Sequence, residues 1–321
     1  MTNRRSKGAL RALATVALTM GAAVTGAQAQ QFVNVLTGGT SGVYYPLGVA
    51  LSEIYADGMD GVRTQVQATR ASVENLNLLA QGGGEIAFAL GDAVKLGWEG
   101  NAEAGYPQPL TGLRAIAAIY PNYVQIVASG ESGVTVLDDL RGKGVSVGAP
   151  ASGTELNARA IFAAAGMSYD DLGKLEYLPY AESAELIKNR QLDATLQSSG
   201  LGVAFIQDLA ATHDITLVGI PAEVVESIGA PYVPSVIPAG TYQGQDADVP
   251  TAAIGNILVT HEGVSEQMAY DMTRLLFENL DRMAAGHSAA ASITPEGALE
   301  GLPIPLHPGA ERYYREQGLL Q

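Results

Sequence analysis

The sequence contains no cysteine, which excludes disulfide bonds, thiolate nucleophiles and cysteine-based zinc sites. Histidine is also scarce, and no histidine has the HExxH spacing of a zinc protease. The four histidines are His213, His261, His287 and His307. Ser152 has no recognisable base partner, there is no Walker motif, and His307 between two prolines is predicted to be a structural turn residue. We therefore predict a protein that is not an enzyme and that holds no cofactor and no metal.

Long hydrophobic runs are missing after residue 30, so nothing in that part of the sequence predicts a membrane span. One apolar run, residues 12–24, lies near the start and is shorter than the ~20 residues that a spanning helix needs. The basic residues in front of it are Arg4, Arg5, Lys7 and Arg11. Ala27-Gln28-Ala29 then supplies a small-x-small cleavage site. Together these features predict a signal peptide over residues 1–29, cleavage before Gln30 and export to the periplasm.

Basic residues are outnumbered, 18 against 33 acidic ones, which gives a formal net charge of −15. Residues 1–29 carry four basic and no acidic groups, so the chain without them has a net charge of −19. A surface this acidic repels nucleic acid and anionic membranes, and we predict no nucleic-acid partner. An anionic ligand remains compatible with it, provided that a pocket supplies local positive potential from a few residues or from backbone N–H groups.

Short apolar runs alternate with amphipathic helical segments, which is typical of an α/β fold with parallel strands. The alternation restarts near residue 130, which predicts two lobes. Towards the end, residues 231–250 are rich in proline and glycine and are predicted to form a surface excursion or crossover. A long strand is predicted over 251–260 and a single long helix over 265–285.

A late strand after two complete α/β series implies that the chain crosses twice between the lobes. We predict residues 124–128 and 254–259 as the paired crossover strands. Lobe I would then comprise residues 30–126 plus 251–321, and lobe II residues 127–250. This arrangement permits hinge closure on a ligand held at the carboxyl ends of the strands.

Three segments rich in glycine and hydroxyl residues, 37–45, 68–75 and 148–155, each join a predicted strand to a predicted helix. Glycine lets the backbone approach a ligand closely, and helix N-termini bind anions through their free N–H groups. Ser72 is predicted to cap the second helix, and Arg70 in front of it could hold a carboxylate. The alternative for each segment is an ordinary turn followed by a capped helix. The first and third segments, one in each lobe, could face each other across a cleft.

Four segments resemble the TAXI family, the solute receptors of TRAP transporters. They are TGGTSGVYYPLG (37–48), SVENL (72–76), DLRGKGVSVGAPASGTELNAR (139–159) and IPLHPGAERYYRE (304–316). The likeness runs in order from about residue 32 to the C-terminus. It implies a class II periplasmic binding protein fold, in which two doubly wound α/β lobes are joined by crossover strands and enclose a ligand cleft.

The resemblance further implies a receptor, here expected to be a monomer, that hands a small organic anion to inner-membrane TRAP permease subunits. Relatives in the family bind glutamate, 2-oxoglutarate or other small carboxylates. By position in the family's motifs, the implied ligand-binding residues are Thr40, Ser41, Gly42, Tyr44, Ser72, Asn75, Asp92, Ser152, Gly153, Thr154, Gln197, Ser198 and Gly200. To these the sequence adds Arg70, where some family members have glycine.

Several alternatives stay open at the level of sequence. An inward Arg70 would favour a dicarboxylate, whereas Asp92 in the cleft could pair with an ammonium group and would favour an amino acid. A receptor of the same fold that feeds an ATP-driven permease is the nearest alternative function. A periplasmic enzyme that acts on a carboxylate and a sensory receptor that docks on a membrane kinase are the others.

Overall fold

The computed structural model describes residues 31–321, so the predicted signal peptide and its cleavage site lie outside the described residues. The strands are β1 (Gln31–Leu36), β2 (Val62–Gln67), β3 (Ile86–Leu90), β4 (Leu113–Ser129), β5 (Gly144–Ser146), β6 (Lys174–Glu176), β7 (Ala194–Ser199), β8 (Ile215–Val218), β9 (Val233–Ile237) and β10 (Val249–His261). The helices are α1 (Tyr44–Gly58), α2 (Ser72–Ala80), α3 (Gly91–Glu99), α4 (Gly153–Ala164), α5 (Tyr180–Lys188), α6 (Ala204–Thr212), α7 (Ala222–Ile228), α8 (Glu266–Glu278), α9 (Leu280–Gly286) and α10 (Pro308–Glu316).

The strands form one mixed sheet in the order β2-β1-β3-β10-β4-β7-β5-β6, with β8 against β4 and β9 against β10. β1, β2 and β3 are parallel at one end of the sheet, and β5, β6 and β7 are parallel at the other. The long antiparallel strands β4 and β10 lie between the two groups and belong to both. This is the two-lobed α/β fold that the sequence predicted.

The apolar core lies on both faces of the sheet because successive strand residues point to opposite sides. In β3, Ile86 and Phe88 join one buried cluster, and Ala87 and Ala89 join the other. A continuous apolar run is what a strand covered by helices on both faces requires. All five residues of β3 are buried.

The crossover strands differ in detail from the prediction. The strand that contains the predicted segment 124–128, β4, begins at Leu113, runs unbroken over 17 residues and carries Pro121 within it. The segments that pair with each other extend from Leu113 opposite His261 to Tyr123 opposite Ala253. Residues 124–128 instead pair with β7 and β8. Pro121 is accommodated next to an irregularity in the register, where a missing N–H costs no regular ladder bond. The proposed lobe boundaries at 126/127 and 250/251 remain a prediction.

Three local predictions are corrected by the structure. The helix expected over 265–285 is divided at Asn279, whose side-chain amide donates to the carbonyl of Leu275 and so competes with the helical ladder. The excursion at 231–250 contains β9, which pairs with β10. Ser72 is the first residue of α2 and not its cap, because Ala71 precedes the helix.

His307 has the structural role that the sequence predicted. It precedes α10, and its Nδ1 accepts a hydrogen bond from the N–H of Gly309. Its Nε2 lies 3.0 Å from the carbonyl oxygen of Val264. Burial lowers the pKa of His307, which keeps the ring neutral as a cap.

Candidate functional site

A cleft of about 710 Å³ of empty volume, part of it open to solvent, lies between the two lobes. It opens where β1, β3 and β7 end, as ligand sites do at the carboxyl ends of parallel strands. The lining residues are Gly38, Gly39, Ser41, Gly42, Val43, Tyr44, Thr69, Arg70, Ala71, Ser72, Leu90, Tyr120, Asn122, Ala149, Ser152, Gly153, Thr154, Pro179, Tyr180, Ser198 and Ser199.

Four helices begin at this cleft. Tyr44, Ser72, Gly153 and Tyr180 are the first residues of α1, α2, α4 and α5, and all four line the wall. The first N–H groups of a helix have no partner within the helix, and the helix dipole places partial positive charge there. Two helices from each lobe therefore direct positive potential into one space, which favours a bound anion.

The charge of the lining is opposite to that of the whole chain. Among the residues that line the cleft, Arg70 is basic and none is acidic. The side chain of Arg70 is about half exposed, and its Nε lies 3.1 Å from Glu74 Oε2. Partial burial opposes ionisation of Glu74, but the hydrogen bonds and charge of Arg70 outweigh it and hold the pKa of Glu74 below its ordinary value. Arg70 is thus a cation at the rim of the cleft, and it is partly engaged by Glu74 of the helix that follows it.

Hydroxyl groups connect the second lobe's part of the wall. Tyr180 donates to the carbonyl oxygen of Ser198 at 2.5 Å, so Thr154 Oγ1, 2.8 Å from the Tyr180 hydroxyl, is the donor in that pair. Ser152 Oγ caps α4 by accepting from the N–H of Glu155. Burial raises the pKa of Tyr180 to about 12. The hydroxyl therefore stays neutral and fixes the geometry of this wall at physiological pH.

The wall also contains strained backbone. Ala71 has φ 71° and ψ −146°, a conformation that is almost restricted to glycine. Ala151 has φ 58° and its carbonyl oxygen, across the cleft, accepts a hydrogen bond from the N–H of Glu74 in α2. Ala71 therefore occupies a position at which the backbone geometry itself favours glycine.

Nine of the predicted ligand-binding residues line the cleft. They are Ser41, Gly42, Tyr44, Arg70, Ser72, Ser152, Gly153, Thr154 and Ser198. Ser72 Oγ accepts from the N–H of Leu90, and a Cβ added at Gly153 would lie 2.6 Å from that oxygen. The two lobes are thus in contact beside the cleft. Binding of a ligand by these nine residues stays a prediction.

Thr40 and Asn75 do not face the cleft. Thr40 is exposed on the loop that follows β1. Asn75 is fully buried, and its amide donates to the carbonyl oxygens of Thr37 and Phe88 while its Oδ1 accepts from Thr69. The expected contact of Asn75 with the solute is replaced by a structural role, because these bonds hold the first two loops together behind the wall.

Asp92 lies beneath the cleft in what we call the Asp92 cluster, formed with Asn157 and Tyr232. Its Oδ2 accepts from Asn157 Nδ2 at 2.7 Å and from the Tyr232 hydroxyl at 2.6 Å, and its Oδ1 accepts from the N–H of Ala93. Burial raises the pKa of Asp92, and the hydrogen bonds from Tyr232 and Asn157 oppose that rise. The cluster joins α3 to α4 and the segment after α7, so Asp92 bridges the lobes and does not line the cleft.

Gln197 and Gly200 also lie outside the lining. Gln197 is fully buried on β7, where alternation turns it to the face opposite Ser198, and its amide bonds to Thr195. At Gly200 an added Cβ would lie 2.9 Å from the Cβ of Ala289. The glycine therefore permits close packing behind the cleft wall.

Some lining residues were missed by the sequence reasoning. Tyr120 and Asn122 lie in the middle of β4, just before the predicted crossover segment 124–128. Tyr180 follows Pro179 at the start of α5, and its place after a short strand was the available signal. Neither tyrosine belongs to a segment rich in glycine and hydroxyl residues.

One serine matches a nucleophile pattern by spacing alone. Gly144-Val145-Ser146-Val147-Gly148 reads GxSxG, the pattern of a nucleophile elbow. Ser146 ends β5, is fully buried, and its Oγ accepts from the hydroxyl of Ser183. A serine hydroxyl is no general base, so this arrangement does not activate Ser146 as a nucleophile.

Two absences concern residues 31–321, the part of the chain that the structure describes. No helix there has both the length and the apolar character that crossing a membrane requires. In the same part of the chain, no group of three or more His, Cys, Asp or Glu side chains is arranged to hold a metal ion.

Three solved structures have similar folds at low sequence identity, and two of them are named as binding proteins. The alkanesulfonate-binding protein SsuA from Xanthomonas axonopodis pv. citri, bound to MOPS, has a TM-score of 0.53 and 13% identity over 90% of this chain and 94% of that one. A binding protein component of an ABC phosphonate transporter from Pseudomonas aeruginosa has a TM-score of 0.54 and 10% identity, with 82% and 80% covered. A putative L-cystine ABC transporter protein from Listeria monocytogenes has a TM-score of 0.51 and 13% identity, with 82% and 98% covered.

These likenesses establish the fold, since identities of 10–13% carry no information on the ligand. Sequence similarity identifies the family as well as the fold, because residues 35–318, nearly the whole described chain, match one family. On that match, the chain belongs to the NMT1-like family.

Proposed function

We propose that this protein is a periplasmic solute-binding receptor that captures a small organic anion between its lobes and delivers it to a membrane transporter without changing it chemically. The observation that carries the proposal is the convergence of four helix N-termini, two from each lobe, on a cleft whose lining has no acidic side chain. The two-lobed fold supports it, and so do the names of the similar structures, two of which are described by alkanesulfonate and phosphonate.

The anion that fits best is a carboxylate without an amino group. An ammonium group buried in the cleft would need a charged or strong acceptor partner. Asp92, the carboxylate that could have served, is engaged by Asn157, Tyr232 and Ala93 below the cleft. A 2-oxoacid or dicarboxylate such as 2-oxoglutarate therefore suits the lining better than glutamate, and Arg70 at the rim offers a second positive site for a dianion.

Capture follows from the contacts between the lobes. When the lobes close without a solute, the positive helix ends of the two lobes approach and repel each other. An anion bound between them offsets that repulsion. The approach at Gly153 and the bond from Glu74 N–H to the Ala151 carbonyl then seal one side. The antiparallel pair β4 and β10 connects the lobes and is the place where they hinge.

The test of the solute class uses matched pairs. Protein that has been unfolded and refolded to remove carried-over solute is titrated calorimetrically with 2-oxoglutarate, glutamate, glutarate, pyruvate, ethanesulfonate and glucose. We expect 2-oxoglutarate to bind more tightly than glutamate, which differs by the ammonium group, and glucose not to bind. Binding of glucose but of no anion would contradict the proposal.

For the transporter we propose an ion-gradient-driven TRAP permease, supported by the four TAXI-like segments, with the protein acting as a monomer. The second candidate is an ATP-driven permease, favoured by similar structures whose names include ABC transporters. Uptake of the identified solute into membrane vesicles, with this protein added outside, separates the two. A TRAP permease requires the ion gradient and continues without ATP, whereas an ATP-driven permease shows the reverse.

A further inference from the structure

Tyr120 lines the cleft, and its hydroxyl has no hydrogen-bond partner among the described residues. It lies in β4, near the point where pairing passes from one lobe to the other, and it lines the cleft. The side chain is 1% exposed, and its hydroxyl is buried without a hydrogen-bond partner among the described residues. Such a group is rare in folded proteins, since leaving a buried donor unsatisfied is costly.

The groups around Tyr120 are already committed. The neighbouring hydroxyl of Tyr44 donates to Asn256 Oδ1 at 2.5 Å, and that of Tyr180 donates to the carbonyl oxygen of Ser198. The backbone of Tyr120 is fixed in turn, because its carbonyl oxygen accepts from Asn256 Nδ2 at 2.8 Å. Among these three tyrosines, Tyr120 is therefore the one whose hydroxyl donates to no group of residues 31–321.

The protonation state of Tyr120 makes it a donor. Burial, with a smaller contribution from Tyr44 and Tyr180, raises the pKa of Tyr120 well above its ordinary value. The phenol keeps its proton at every physiological pH. A partner must hence bring an acceptor atom, and a carboxylate or keto oxygen provides one.

We infer that the Tyr120 hydroxyl donates a hydrogen bond to an acceptor oxygen of the bound solute and so selects for solutes with such an oxygen at the end that faces β4. This inference rests on the proposed function and adds to it a specificity-determining residue on the crossover strand. The Tyr120 hydroxyl has no acceptor among the described residues, and a solute that brings one removes the cost of leaving the donor unpaired. A solute without the acceptor leaves the penalty in place, which is how a buried polar group discriminates between analogues.

The chain offers matched controls. Tyr55 and Tyr106 also have buried hydroxyls without a partner among the described residues, but neither lines the cleft. Replacing any of the three by phenylalanine removes an unpartnered hydroxyl and keeps the ring. The stability of the ligand-free protein should therefore be unchanged or raised in Tyr120→Phe, Tyr55→Phe and Tyr106→Phe alike.

The experiment measures calorimetric dissociation constants and ligand-free melting temperatures for wild type, Tyr120→Phe and Tyr55→Phe, with 2-oxoglutarate, glutarate and pyruvate as probes. We expect Tyr120→Phe to weaken the tightest-bound probe about 10- to 150-fold, as for loss of a hydrogen bond to a charged acceptor. Tyr55→Phe should bind as wild type does. Equal affinity of wild type and Tyr120→Phe would overturn this inference alone. Failure of wild type to bind any anion would overturn the proposed function and this inference with it.

Discussion

The Asp92 cluster and the cleft above it are both polar, and both lie between the lobes. They differ in how much hydrogen-bonding capacity their groups have left for a ligand. In the cluster, the Asp92 carboxylate accepts three hydrogen bonds from Ala93, Asn157 and Tyr232, and Asn157 Oδ1 in turn accepts from Ser198. At the cleft, four helices begin, and the buried hydroxyl of Tyr120 has no hydrogen-bond partner among the described residues.

Residue type alone therefore does not identify a binding group; unused hydrogen-bonding capacity at the lining of the cleft is the better guide. Asp92 and Asn75 are the kinds of residue that bind small solutes, but their side chains are engaged by other groups of the protein. These engaged groups hold the lobes and loops in place, whereas an unpartnered group that lines the cleft is available to a ligand. Variants of the cluster should therefore change stability, whereas variants of the cleft should change affinity and specificity.

The largest effect is expected from Asp92→Ala. It leaves the Tyr232 hydroxyl and the Asn157 amide buried without their acceptor, which costs about 2–4 kcal/mol of unfolding free energy. Denaturant titration of the ligand-free protein measures it. Affinity should fall by a similar factor for every solute, since the closed form is weakened without a change in the cleft lining. A changed order of preference among solutes would show that Asp92 contacts the ligand after all.

Gly153→Ala should act in the opposite way, on binding more than on folding. The new Cβ would lie 2.6 Å from Ser72 Oγ and 2.7 Å from Leu90 Cδ1, so the lobes would have to move apart. We expect a loss of affinity of about 1–3 kcal/mol, the usual cost of overpacking. Gly39→Ala is the matched control, since Gly39 also lines the cleft but an added Cβ meets nothing within 4 Å. If both variants bind alike, contact at Gly153 does not limit closure.

The pH dependence of stability sharpens the same contrast. Because burial raises the pKa of Asp92, the folded protein holds this proton to a higher pH than the unfolded chain does. The stability contributed by protonated Asp92 is complete below its ordinary pKa and is lost as pH rises through the folded value. Wild-type stability minus that of Asp92→Asn should therefore decline above about pH 4, by at most ~1.4 kcal/mol per pH unit. A difference that does not vary with pH would contradict this.

The smallest effect concerns the strained wall of the cleft. Ala71→Gly relieves a backbone strain of about 1–3 kcal/mol, and the greater freedom of glycine in the unfolded chain offsets about 0.4–1 kcal/mol of that gain. We expect a net stabilisation of about 1 kcal/mol by thermal unfolding. Ala149→Gly is the control, because Ala149 also lines the cleft but is not among the residues with positive φ. That variant should be destabilised.

Several features of this fold can be predicted from local sequence patterns. Alternating apolar runs and amphipathic segments predicted the α/β class and the two series, because burial on both faces of a sheet imposes that pattern on each strand. Segments rich in glycine and hydroxyl residues predicted where three of the four helix N-termini meet the cleft, since helix starts carry such residues. The start of α5 at Tyr180 was not predicted to lie at the cleft, because it lacks that composition.

Only the tertiary structure decided which groups each polar side chain has as hydrogen-bond partners. Whether Asp92 faces a solute or Tyr232 depends on a residue that lies 140 positions away along the chain. Whether the hydroxyl of Tyr120 lacks a partner among the described residues depends on the packing of three tyrosines. The sequence by itself determined the α/β class, three of the four helix starts at the cleft and the excess of negative charge. The assignment of binding and structural roles required the fold, because hydrogen-bond partners are set by proximity in space and not by spacing along the chain.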